Sequence, residues 1–316
     1  MNKPVISVVA ATYKRPALLR DLLESLEAQT LSWDQFEVLI VDDESGPETV
    51  AVLEEFAAKG SLNLRWETQK NAGPATARNR GVAMAAAPLI AFTDDDCVVC
   101  ATWLEDYLSY MREHPETAGV GGLLIRKHDN LVARWTDHAV QMGHFVKNGE
   151  ALILITANAC YRKEAFRTAG GFDTRIPWAG GEDPDLSRKV IENGGKLSVI
   201  EGALVRHTHR DTLGGVFNEG KLVGMSRALR MELGLYQDTL LPRTMAGMYY
   251  RHCKRALKSE APAPEKGLYL ILNAVKVAGF TLGALKMRFR KNRGAQGTEL
   301  KQALGASNLK GSKHVK

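Results

Sequence analysis

The chain has 316 residues, 45% hydrophobic and 25% charged, an ordinary globular balance that excludes extended disorder and collagen-like repeats. Its four cysteines, Cys97, Cys100, Cys160 and Cys253, are too few for a disulfide scaffold and fit a reducing compartment. The net charge of +6 is uneven: residues 286–316 hold nine Lys/Arg and one Glu, which leaves residues 1–285 at −2, not the basic folded face that nucleic-acid binding requires.

In chain order, residues 5–11 form a continuous β-branched apolar run, as expected of a strand buried on both faces. Residues 15–29 carry Leu18, Leu19, Leu22, Leu23 and Leu26 at helical spacing. A second strand, 36–41, stops at Asp42-Asp43. A helix over 50–58, a strand over 62–67 and a helix over 75–86 follow. A fourth strand, 89–93, stops at Asp94-Asp95-Asp96. This alternation predicts an α/β fold with a mostly parallel sheet between helices. Ligands in such folds sit beyond the carboxyl ends of the strands, where both acidic clusters fall.

Strands over 119–125 and 152–160 and helices over 163–169 and 185–193 are predicted next, separated by Gly170-Gly171, Gly180-Gly181 and Gly194-Gly195. Short strands over 196–200 and 203–205 follow. Beyond about residue 212 the pattern is helical, with Ala261-Pro262-Ala263-Pro264 as the one clear linker. Pro4 and Thr12 interrupt the first apolar run, and no small-residue cleavage site follows it. The expected setting is therefore cytoplasmic.

Three adjacent aspartates at a strand end repel one another and lose hydration, which a divalent cation offsets. Hard cations such as Mg²⁺ and Mn²⁺ prefer carboxylate and phosphate oxygens. Tyr13, after Thr12, offers a ring on which a base could stack. Glu182-Asp183 follows a double glycine at a helix start, where a carboxylate stays ionised. The alternative for Asp183 or Asp185 is simple helix capping, the role expected of Asp185. His207 and His209 sit at i, i+2 after a short strand and should point the same way. Cys97-Val98-Val99-Cys100 lacks the second half of a zinc site, so reduced core cysteines are expected.

In the order ISVVAATYKRP, VLIVDDES, NAGPATARNRGV, IAFTDDDCVV, TANACYRKEAFRTAGGFD and WAGGEDPDLSRKVIENGG, the first 210 residues or so resemble the family 2 glycosyltransferases of GT-A fold. The resemblance implies an inverting enzyme that uses a nucleotide sugar, with uridine the favoured base, and a divalent metal, Mn²⁺ or Mg²⁺. It places Thr12, Tyr13, Arg15, Asp43, Arg78, Asp94 and Asp95 at the nucleotide sugar and Asp96 and His207 at the metal. Asp183 becomes the general base, with Trp178 and Glu182 at the acceptor, a glycan or a lipid-linked molecule. Residues 1–118 would form the donor-binding half, 119–211 the acceptor-binding half, and 212–316 a helical extension with a basic end.

Asp94-x-Asp96-x-Val98 also fits the DxDx[TV] pattern of haloacid-dehalogenase-type phosphatases, although three strand–helix units precede it. A non-catalytic nucleotide-sugar or glycan-binding protein is a third reading. Residues 268–285 form a mostly apolar stretch broken by Asn273, Lys276 and Thr281, and basic residues follow. A spanning helix would put Lys276 near mid-bilayer at roughly 2.5–3.5 kcal/mol. An in-plane amphipathic helix over 268–316, peripheral on the inner face of the cytoplasmic membrane, avoids that cost. A helix packed on the protein's own core is the alternative.

Overall fold

The computed structural model describes residues 3–140, 144–147, 149–235 and 241–291. The chain opens with β1 (Ile6–Thr12), α1 (Pro16–Glu27), β2 (Phe36–Asp42), α2 (Pro47–Lys59), β3 (Leu64–Thr68), α3 (Pro74–Met84) and β4 (Leu89–Thr93). Each of the three helices begins with proline, whose fixed φ suits the first turn and whose missing N–H has no helical partner there to lose. That explains why α2 starts three residues before the predicted position. It ends at Gly60, in the left-handed conformation (φ +66°) that closes many helices.

The chain continues through β5 (Cys97–Val99), α4 (Trp103–Glu113), β6 (Thr117–Gly121), β7 (Leu124–Arg126), α5 (Leu131–Trp135) and a π-helical turn, Thr136–Val140. Next come β8 (Phe145–Lys147), β9 (Glu150–Ile153), β10 (Asn158–Arg162), α6 (Lys163–Thr168), α7 (Glu182–Glu192), β11 (Lys196–Val199) and β12 (Val205–His207). Three helices complete the described part: α8 (Leu213–Glu232), α9 (Leu241–Lys258) and α10 (Ala263–Lys291).

Seven strands form the main sheet in the order β11-β6-β10-β4-β1-β2-β3. All pairs are parallel except those of β10, which is antiparallel to both β4 and β6. Val8, Val38 and Ile40 pack toward α1 and α2, while Val9, Leu39 and Phe92 face the opposite layer. Burial on both faces is the reason β1 and β2 read as unbroken apolar runs.

Two single-strand predictions are divided by the structure. Residues 119–125 become β6 in the main sheet and β7 in a second sheet, β5-β12-β7. The break falls at Gly122, where a Cβ would run into the Ala203 carbonyl oxygen. Residues 152–160 become β9, paired with β8, and β10, divided by a turn closed by Asn158 N–H and the Ile155 carbonyl. β5 lies inside the predicted Cys97–Cys100 segment, and β12 takes in His207 two residues beyond the predicted end.

Candidate active site

Connections from β1 run to β2 on one side, while β4 returns to β1 on the other. The carboxyl ends of β1 and β4 therefore meet where the strand order reverses, the crevice in which open α/β sheets hold ligands. Thr12 Oγ1 donates to Asp95 Oδ2 at 2.9 Å, and the Tyr13 N–H reaches the same oxygen at 3.4 Å. Arg15 Nη1 bridges Asp95 Oδ1 at 3.0 Å and Asp96 Oδ2 at 2.9 Å. Burial, partly offset by Arg15, pushes the Asp95 carboxyl up to about 6. The Tyr13 ring is 40% exposed and free to meet a planar ligand, with Lys14 Nζ 4.9 Å from its centroid.

Arg78, from α3, is 5% exposed and joins Asp94 to the second half of the fold. Its Nη2 lies 2.5 Å from Asp94 Oδ1 and its Nη1 3.0 Å from Glu182 Oε1. Burial works against both charges, yet Arg78 holds Asp94 below its ordinary value, and Asp94, Glu182 and Asp183 together keep Arg78 firmly protonated. Glu182 Oε2 accepts the Gly180 and Gly181 N–H groups at 2.8 and 2.9 Å. Glu182 is thus corrected from an acceptor contact to a buried strut under Arg78.

Asp183 does not cap α7, whose N-cap, Gly181, has no side-chain cap, and among the described residues it pairs with no cation at contact distance. Its Oδ1 is buried with no hydrogen-bond partner among the described residues. Burial, together with the Glu182 and Asp94 charges, holds its carboxyl well above the usual carboxylate range, with Arg78 acting the other way. The capping role expected of Asp185 is also corrected: that residue pairs with Arg188 at 2.9 Å and Lys189 at 2.7 Å. Trp178 is corrected too. It is 6% exposed and packed with Met225 and Met287, so no face of its ring is open to a sugar.

Asp43 lies where β2 ends, but its oxygens already accept Gln69 Nε2, Ala72 N–H and Gly73 N–H, each at 2.8 Å. A carboxylate offers about four acceptor positions, so about one remains for a base. The first task of Asp43 is to fasten the loop that starts α3.

His207, at the end of β12, presents Nε2 to Asp96 Oδ1 at 3.4 Å. His209 does not share that face; it stands behind, with the two Nδ1 atoms 3.0 Å apart and His209 Nε2 3.3 Å from Asp137 Oδ1. Asp137, on the π-helical turn, is held by Arg126 at 2.7 Å. A carboxylate only accepts, and both Nε2 atoms, of His209 toward Asp137 and of His207 toward Asp96, face one. In the tautomer in which His207 donates from Nδ1 to His209 Nδ1, its Nε2 lone pair and Asp96 form a pair of ligands suited to a cation.

Asp96, Cys97 and His207 offer ligand atoms within 4.8 Å of one another. Burial, followed by the Asp96 and Asp94 charges, pushes the Cys97 thiol well up. Hard cations such as Mn²⁺ and Mg²⁺ would draw on the carboxylate and the imidazole rather than the thiol. Asp137 and Arg126 were not found from sequence; the histidine pair was the only local sign of the arrangement.

The model of glycosyl transferase family 2 matches residues 7–170. The chain belongs to glycosyltransferase family 2. An O-antigen biosynthesis protein of Myxococcus xanthus is 31% identical over 229 residues, 66% of this chain and 17% of that protein. The poly(ribitol-phosphate) β-N-acetylglucosaminyltransferase of Staphylococcus aureus is 30% identical over 201 residues, 61% of this chain and 34% of that enzyme. The chain thus spans well under half the length of either relative. Among solved structures, a Pyrobaculum calidifontis mannosyltransferase bound to GDP-mannose and Mn²⁺ aligns with 99% of this chain and 82% of its own, at TM-score 0.57 and 17% identity. A fragment of the S. aureus enzyme with UDP-N-acetylglucosamine aligns with 90% and 91%, at TM-score 0.52 and 17% identity. These likenesses establish the GT-A fold, and family membership removes the phosphatase reading of the acidic triplet.

Proposed function

We propose that this family 2 glycosyltransferase moves a sugar from a nucleoside diphosphate sugar, with UDP the preferred carrier, to a hydroxyl of a glycan or lipid-linked acceptor, inverting the anomeric carbon. The observation that carries the reading is the convergence of Arg78, Asp94 and the unpartnered Asp183 Oδ1 at the β1–β4 crevice. Tyr13 offers its ring to the base, Asp43 its remaining acceptor position, and Arg15 and Arg78 their positive charge to the diphosphate. A divalent cation held by Asp96 and His207 would neutralise charge on the departing nucleoside diphosphate.

Asp183 takes the proton of the acceptor hydroxyl as that oxygen bonds to the anomeric carbon. The glycosidic electron pair leaves with the diphosphate. One displacement of this kind inverts the centre and needs no second nucleophile. The relatives named for O-antigen and poly(ribitol-phosphate) chemistry support a glycan-like acceptor. We assign residues 1–118 to the donor, 119–211 to the acceptor, and the site of action to the cytoplasmic side.

Thermal-shift measurements with UDP-, dTDP- and GDP-sugars, each with Mn²⁺ or with EDTA, test the donor half of the proposal. The expected result is stabilisation by one nucleotide class that EDTA abolishes. No stabilisation by any of them, or equal stabilisation in EDTA, contradicts it.

A further inference from the structure

The helix α10 buries Tyr269, Leu272, Phe280 and Met287, yet it also presents apolar side chains outward. Asn273 and Lys276, which break the apolar stretch in the sequence, are buried. Trp135 Nε1 donates to Asn273 Oδ1 at 2.8 Å, and Lys276 Nζ reaches Glu219 Oε1, on α8, at 2.6 Å. The outward side instead carries Leu268, Ile271, Leu282 and Leu285, which are 43%, 55%, 49% and 38% exposed. Their spacing puts them within one arc of the helix, with Ala274 and Ala278 exposed between them. Rotating α10 to hide the arc would break the Lys276–Glu219 pair and strand both charges in the interior. The inward contacts therefore hold the apolar arc outward.

The packing of α10 on α8 points to the same environment. A Cβ on Gly279 or Gly283 would run into α8 carbonyl oxygens, and one on Gly220 or Gly224 into those of α10. Both helices thus carry a small-xxx-small pattern at their contact, the close backbone packing found where hydrocarbon surrounds a helix pair. Residues 263–287 are long and apolar enough to span a membrane, with a mean hydropathy of 1.7. One side, however, is committed to α8, which favours a helix lying in the interface over one that crosses. The charge complement is in the sequence: residues 286–316 carry a net +8 directly after the apolar arc.

We propose that the outward face of α10 docks in the plane of an anionic lipid surface. The surface is separate from the crevice, so the proposal stands or falls independently of the transfer reaction. Sedimentation of the full chain with phosphatidylcholine vesicles, with and without phosphatidylglycerol, tests it beside the variant Ile271→Glu/Leu282→Glu. The full chain should sediment with the anionic vesicles, less so as salt rises, and the variant should bind at least about tenfold more weakly. Far-UV circular dichroism and a cooperative thermal melt verify that the variant remains folded; Ile271→Ser/Leu282→Ser serves if the glutamates prevent folding. Absence of wild-type binding, or equal binding by the folded variant, overturns the proposal. A lipid-free dimer of the wild type that the variant abolishes also overturns it, because a second copy then covers the face.

Discussion

Asp95, the variable middle position of the family motif, accepts from Thr12, Tyr13 and Arg15 and locks the end of β1 to that of β4. The acidic triplet was legible in the sequence as a site because it ends a buried strand. The division of labour within it was not, because Asp95 meets partners about 80 positions away, and Arg78 meets Glu182 across 104. The same distance hid the rear support of His207. If Asp137 fixes the His209 tautomer and through it the bare Nε2 of His207, Asp137→Asn should weaken Mn²⁺ binding by about 10–100-fold, the usual effect of losing such support. His209→Phe should do the same, while UDP affinity without metal stays constant. Titration followed by the electron paramagnetic resonance of free Mn²⁺ measures this directly. Unchanged Mn²⁺ affinity in both variants would remove Asp137 and His209 from the metal site.

At the scale of elements, the first four strands and three helices were readable because β1, β2 and β4 are buried on both faces and each of the three helices starts at a proline. The second half was harder to read. There the chain changes sheets at Gly122 and again between β9 and β10, and periodicity does not record such a change. Asn158 joins these pieces: its Oδ1 accepts Trp103 Nε1 at 2.8 Å and Tyr107 Oη at 2.6 Å. Its Nδ2 donates to the Leu123 and Ala203 carbonyls at 2.8 Å each. The four partners lie on three segments distant in sequence: α4, the stretch after Gly122 and the stretch before β12. Asn158→Leu keeps the volume but leaves them unpaired in the interior, at about 1–3 kcal/mol for each stranded group. Urea unfolding should show a loss of roughly 3 kcal/mol or more. A loss below about 1 kcal/mol would mean that the network contributes little to joining the two sheets.

Over the whole molecule, the two halves of the chain share the main sheet, and at the crevice one buried guanidinium links them as well. Arg78 reaches back to Asp94 after β4 and forward to Glu182 at the start of α7, next to Asp183. The helical end was recognisable from composition, but its orientation was not. Only the packed structure shows Lys276 turned toward Glu219 and the leucines turned out. Trp178 was misread for a related reason: the helices that bury it lie nearly 50 residues further on, at Met225.

Asp183→Asn measured for transfer rate, donor affinity and melting temperature on one preparation tests the central claim most directly. An amide cannot accept the acceptor's proton, so the rate should fall by roughly 10²–10⁴ while donor affinity is retained. The wild-type rate should decline on the acid side at a pH above the ordinary aspartate range, since burial raises this carboxyl. The same shift predicts the stability. An aspartate whose pKa is raised by folding costs stability as pH climbs above its unfolded value of about 3.9. The Asp183→Asn variant should therefore melt higher than wild type at neutral pH, and the difference should vanish toward pH 4. A variant that melts higher, binds donor normally and transfers sugar poorly is the predicted result. Near-normal transfer by the same sample would contradict the assignment of Asp183 as the base.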